Sequence, residues 1–373
     1  MSARVYLDWN ATAPLRTEAR EAMVQAMALV GNPSSVHAEG RAARAMVERA
    51  RAQVAAAVGC APAQVIFTAG ATEGAQLLTR LGGEVIIHPL SHDALWAQGG
   101  AQGQGGGVIP GRVADASPVL AMGLADGETG ILSEPPARDG DGWCDAGQGR
   151  RARWLFLDIT QAVGRVPFSF AWSGADFAIL SAHKLGGPKG VGALILREGL
   201  DMPPLSLGGG QEMGRRAGTE NVMGISGFGA AAQAAMQDLA GGAMQRVAKL
   251  RNILEETLAA AFPATIFVGE GRDRLPNTAC IATPGWKAET QVMQMDLAGY
   301  AVSAGAACSS GKVRASRVVQ ALGHDEETAR GAIRVSLGPE TTMAEVTGFC
   351  DAWIAARTRY GDRLSGTPRR KEG

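Results

Sequence analysis

No sign of charge prevails in this chain: its 373 residues carry 36 Lys and Arg against 36 Asp and Glu, a formal net charge of zero. That balance removes the long-range field by which nucleic-acid binders and proteins of anionic membranes attract their partners. The basic tail Arg369, Arg370, Lys371 is short and terminal and reads as a solvated end. Long hydrophobic runs are missing too. None approaches the roughly 20 residues of a membrane span, and Met1 to Asn10 has no basic region followed by an apolar one, so the expectation is a cytoplasmic protein that binds neither membrane nor nucleic acid. Cysteines are few and scattered, Cys60, Cys144, Cys280, Cys308 and Cys350, without CxxC spacing. An odd, dispersed set indicates neither a disulfide framework nor a zinc site, and each is read as a small buried apolar residue unless its neighbours say otherwise.

What is present is a globular composition, 46% hydrophobic, in a length that fits about two domains or one large α/β domain. Glycine is abundant, with 51 residues, and two stretches concentrate it: 99–107 and 140–153 are polar, lack a hydrophobic period and read as flexible loops. Helical periodicity covers 17–29 and 40–58, with Gly59 as a stop. Short apolar runs at 65–68, 85–88, 119–122, 154–158, 177–181 and 193–196 have strand length and alternate with helical stretches, which favours a mainly parallel sheet with functional groups at strand ends. After Gly210 come Ala-rich helices at 225–239 and 243–261, short strands near 265–268 and 278–282, a helix near 289–298, a small-residue loop at 303–312 and a last helix from 344 to 357. This reads as a large domain over 16–240 and a smaller α+β domain over 241–373 that carries the loop, with residues 1–15 packing on the smaller domain.

Three local features carry chemistry. Ser181-Ala182-His183-Lys184 follows the apolar strand FAIL, and a lysine there is either solvated or, if desolvated, able to form a Schiff base with a carbonyl. Asp158 ends the strand WLFLD, where it either caps the next turn or partners a protonated pyridine nitrogen. Gly70-Ala71-Thr72-Glu73-Gly74 opens a helix after VIFT, as a plain N-cap or as a phosphate seat. Together the three describe a pyridoxal phosphate site.

The motifs YLDWNATAP (6–14), GNPSSVH (31–37), GATE (70–73), SAHK (181–184) and RAGTEN (216–221) closely resemble those of the cysteine desulfurases, class V aminotransferase-like enzymes of pyridoxal phosphate fold-type I, and they occur in family order along nearly the whole chain. The resemblance implies an α/β fold whose large domain has a mainly parallel, seven-stranded mixed sheet flanked by helices, with a smaller α+β C-terminal domain. It implies that Lys184 holds the cofactor, that Asp158 pairs with its ring nitrogen and that Gln161 bonds its ring hydroxyl. Ala71, Thr72, Ser181 and His183 would serve the phosphate, joined by Thr219 from the second subunit of a homodimer. His92 would stack on the ring and help proton transfer, Arg334 would grip the carboxylate of L-cysteine, and Asn10 borders that position. Cys308, in VSAGAACSSGK, matches the thiol of the longer-loop desulfurases, which present it on a swinging arm. A thiolate there would take the sulfur as a persulfide and pass it to an iron–sulfur scaffold or another acceptor for cluster assembly or for thiolation of tRNA or cofactors.

The chain departs from the family at Gly127, in ADGETG, where an Asn is usual and a cofactor contact is lost unless Asp126 substitutes. The 80–117 stretch is short, and a polar loop replaces a helix expected between Gly130 and Trp154. These departures keep two other readings open: a selenocysteine lyase or other class V enzyme, and a weakly active scaffold or sulfur-transfer subunit.

Overall fold

A computed structural model describes residues 4–99, 117–140, 142–145, 149–305 and 315–364. The chain divides into two units, one of residues 12–126 and 132–241, the other of 1–11, 127–131 and 242–373.

In the first unit, six strands form one sheet in the order Val65–Thr68, Gly192–Leu196, Phe177–Ser181, Trp154–Asp158, Val119–Gly123, Val85–Ile87. Gly192–Leu196 is antiparallel to both of its neighbours and the remaining pairs are parallel. The sheet among the described residues thus has six strands rather than seven. Beyond it, the 205–217 stretch pairs on itself, with Leu205 N–H donating to Arg215 and Ala217 N–H to Ser206. The strands read as unbroken apolar runs because helices cover both faces. Leu155, Leu157, Ala178 and Leu180 join one core with Val47 and Val54 of the Ala38–Val58 helix and Phe228 of the Val222–Ala240 helix. The alternate residues Trp154, Phe156, Phe177 and Ile179 join the other core with Leu77, Leu78 and Leu95. The Ala38–Val58 helix is capped by His37, whose ring accepts from Gly40 N–H, and ends at Gly59 with φ 68°, a left-handed position that suits glycine.

The stretch 140–153 departs from its reading as a loop. Arg138–Asp139, Gly142–Asp145 and Arg150–Ala152 form a small antiparallel sheet. One large side chain explains it: Trp143 is 4% exposed and packs into the first core, while the residues around it are too polar and glycine-rich to show a period.

In the second unit an antiparallel sheet has the order Ile266–Phe267, Thr278–Ala282, Ala332–Ser336, Ser303–Ala304. Val5–Tyr6 pairs in parallel with Tyr300–Ala301, and Asp8 bridges Ser336, so the N-terminal segment is stitched into this unit. The Ala243–Ala261 and Met343–Leu364 helices pack on each other. Trp286 and Trp353 fill the core, their rings 5.5 Å apart.

Candidate active site

Strand register places the first group of candidates. Thr68, Gly192 and Ser181 lie side by side across three strands. A Cβ on Gly192 would stand 2.7 Å from the Gly70 Cα, so only glycine lets the Gly70–Ala71 backbone come this close. The consequence is a bond between two separate motifs: Ala71 N–H donates to Ser181 Oγ at 2.8 Å. Ser181 keeps its own hydroxyl hydrogen for another acceptor. Ala71, Thr72 and Glu73 form the first turn of the Ala71–Ala75 helix, where N–H groups lack internal partners, and the Thr72 side chain is exposed. Glu73 accepts from Ala69 N–H and, at 3.0 Å, from Arg216 Nε.

After Ser181 the chain makes a single tight turn, Ala182–Lys184. Ala13 N–H donates to the His183 carbonyl at 2.8 Å, and the His183 Nδ1 lies 3.2 Å from Thr12 Oγ1. Burial first, then the charges of Lys184, Lys189 and Arg165, push the His183 pKa down to about 4. The imidazole is therefore neutral at pH 7, and three cations surround it, a setting that favours an anion. Lys184 is half-buried at the end of this turn.

Asp158 ends its strand beside Gly123 and Ile179 and accepts from Thr160 N–H at 2.9 Å. Gln161 follows in the same turn. Its carbonyl accepts from Arg165 Nη1 at 2.8 Å and its side-chain oxygen accepts from the same group. Arg165 also donates to the Lys184 carbonyl at 3.0 Å. This arginine is 7% exposed and ties the Asp158 turn to the lysine turn.

Arg334, Asn10 and Gly127 meet in the other unit. Gly127 offers its carbonyl to Arg334 Nη1 at 3.0 Å and to Asn10 Nδ2 at 3.1 Å. Asn10 is fully buried; it also donates to Thr278 and accepts from Asn277. Both of its amide hydrogens are used within the protein, one of them to support the Gly127 carbonyl. Arg334 Nη2 binds Asp8 Oδ1 at 2.7 Å.

Two further candidates have exposed side chains. His92 is exposed and its Nδ1 accepts from Ala94 N–H at 3.1 Å at the start of the Asp93–Gly99 helix. Thr219 is exposed in the loop before Asn221. Cys308 lies outside the described residues. Of the other cysteines, Cys280 and Cys350 are buried and Cys60 and Cys144 partly so; burial pushes the Cys60 and Cys350 thiols up to about 12, which makes them inert.

Sequence reasoning missed Arg165, Thr12, Arg216 and Asp8. Arg165, in QAVGR at four residues from Gln161, carried a helical-spacing signal. Asp8 lay in a quoted motif, but its partner is 326 residues away. The pair of Arg51 and Glu212 was missed as well. Both side chains are under 10% exposed and meet through two bonds, of 2.8 and 2.9 Å, and Glu212 also accepts from Phe67 N–H.

The chain matches the model of the "Aminotransferase class-V" family over residues 5–98 and 148–349. It is 39% identical to a cysteine desulfurase of Cereibacter sphaeroides, with 92% of this chain and 93% of that protein covered. It is 36% identical to one from Frankia, covering 98% and 94%. Among solved structures, a NifS-like protein from Rickettsia africae superposes with a TM-score of 0.81 at 27% identity, covering 95% of this chain and 99% of the other.

Proposed function

The chain belongs to the cysteine desulfurases of the class-V aminotransferase family, and from that premise we propose that it removes sulfur from L-cysteine, with pyridoxal phosphate as cofactor, and carries the sulfur on Cys308. The observation that bears the reading is the Ala71–Ser181 bond, which joins a helix first turn and a strand-end serine beside a lysine-bearing turn. The donor set suits the cofactor. A neutral His183, the Ser181 hydroxyl and first-turn N–H groups, in the field of Lys184, Lys189 and Arg165, match a phosphate dianion. Asp158 suits a ring nitrogen that must stay protonated, and Gln161, held by Arg165, suits a ring hydroxyl.

When bound, pyridoxal phosphate supplies an aldehyde for the substrate amine and a ring that withdraws electrons from the substrate Cα. Lys184 would hold the cofactor and, as a free amine, would move the Cα proton. Asp158 would keep a proton on the ring nitrogen. Arg334 orients the substrate carboxylate. His92 is positioned by its cap to present its ring. The Cys308 thiolate would then attack the substrate sulfur: an S–S bond forms as the Cβ–S bond breaks, the bonding electron pair stays on Cβ, Cβ takes up a proton that balances the one given up by the Cys308 thiol, and alanine leaves. The enzyme is left with a persulfide, which a sulfur acceptor discharges. Assembly of iron–sulfur clusters is the fitting use for that sulfur. A homodimer in which Thr219 serves the partner's phosphate completes the reading, supported by the exposure of Thr219 in a firmly anchored loop.

Mass spectrometry tests the role of Cys308. After exposure to L-cysteine without reductant and alkylation, the peptide with Cys308 should carry one extra sulfur atom, and Cys308→Ser should turn over no cysteine. Sulfur found on Cys60 or Cys144 instead, or full turnover by the variant, would refute the assignment.

A further inference from the structure

Arg334 already holds a carboxylate. Its Nη2 lies 2.7 Å from Asp8 Oδ1, and the other Asp8 oxygen accepts from Ser303 Oγ at 2.8 Å. Asp8 is fixed from both ends, since its backbone also bridges Ser336 two residues beyond Arg334 on the same strand. The pair is well shielded: the Arg334 side chain is 13% exposed and that of Asp8 16%. A guanidinium has five N–H donors. One goes to Asp8 and one to the Gly127 carbonyl, while the buried Nε has no hydrogen-bond partner among the described residues. Donors thus remain for a second acid, but the positive charge is already matched.

We propose that Asp8 is an affinity-setting residue that weakens the grip of Arg334 on the substrate carboxylate, because the substrate brings a second negative charge to a guanidinium that Asp8 already neutralises. This rests on the reading of Arg334 as the carboxylate-binding residue. The physical ground is that like charges sharing one counter-ion in a shielded place repel each other. The tether to Ser303 matters here, since it stops Asp8 from swinging away when substrate arrives. Asp8 therefore both orients Arg334 and caps its affinity, so that substrate and alanine, which carry the same carboxylate, are both held loosely enough to exchange.

Asp8→Asn separates the two effects. It keeps an oxygen for Arg334 and an amide for Ser303 Oγ and removes only the charge. The measurements are KM for L-cysteine and the inhibition constant of 3-mercaptopropionate, which has the carboxylate and thiol but no amine to react with the cofactor, for the wild-type holoenzyme, Asp8→Asn and Arg334→Gln. The expected result is that Asp8→Asn lowers both constants about five-fold and Arg334→Gln raises both. If Arg334→Gln raises them and Asp8→Asn leaves them unchanged or raises them, the role of Asp8 is overturned and the carboxylate site stands. If Arg334→Gln leaves the inhibition constant unchanged, the carboxylate site itself is wrong and the proposal falls with it. Asp8→Ser, which also removes the charge, serves if the asparagine variant does not fold, and the same decrease is expected.

Discussion

His183 shows how one side chain records its surroundings. Its pKa is pushed down to about 4 by burial and by the cations around it, so the folded protein binds a proton there less readily than the unfolded chain does. Between the unfolded value of 6.5 and about 4 the unfolded state therefore takes up more protons, and stability falls as the pH falls through that window. Replacing His183 with Gln should flatten this part of the stability profile, measured by urea unfolding of both proteins at pH 7 and pH 4.5; parallel profiles would contradict it. Arg165 acts at the same scale through three bonds to two turns. Arg165→Met should weaken cofactor binding about ten-fold or more, because Gln161 and the Lys184 carbonyl lose a charged donor. Titrating the apoprotein with pyridoxal phosphate, followed by visible absorbance, reads this directly, and an unchanged affinity would show that the two turns hold their places without Arg165.

At the scale of elements, the loop of residues 208–221 hangs on the buried pair of Arg51 and Glu212. Glu212 and Met213 have φ of 48° and 58°, left-handed values that cost energy in residues other than glycine. The bonds from Glu212 to Arg51 and to Phe67 N–H offset that cost. Removing one partner, as in Arg51→Met, should destabilise by about 3–5 kcal/mol, and the double variant with Glu212→Leu should lose less than the sum of the two single losses. Strict additivity in a denaturation cycle would argue against coupling.

Elements also show what a reader of the sequence can and cannot see. Strands such as Trp154–Asp158 and Phe177–Ser181 were legible because both of their faces are buried, so the whole run is apolar. The sheet of 138–152 was not legible, since its order depends on Trp143 alone in a polar, glycine-rich setting. Lys184, Ser181 and Ala71 stood out because each lies in a short motif at the end of a strand. Glu212 and Asp8 did not, because their partners are 161 and 326 residues away and no local pattern encodes such pairings.

For the whole molecule, the chain supplies two sets of groups in two units: the Ala71–Ser181 bond with the lysine turn, proposed above as the phosphate seat, in one, and Arg334, proposed to bind the substrate carboxylate, in the other. Among the described residues no helix is long and apolar enough to cross a membrane. The proposed homodimer makes a prediction at this scale. Lys184→Ala and Thr219→Val subunits, each impaired alone, should regain about a quarter of wild-type activity when unfolded and refolded together in equal amounts, because one site of each mixed dimer is intact; no recovery beyond the sum of the separate activities would contradict a shared site. The reaction itself also belongs to this scale. The measurement that tests it most directly is the amount of alanine and of sulfide released when the pyridoxal phosphate-loaded protein is given L-cysteine and a thiol reductant. Equal amounts of the two are expected, both lost in Lys184→Ala, whereas sulfide accompanied by pyruvate and ammonia, or no alanine above background, would contradict desulfuration.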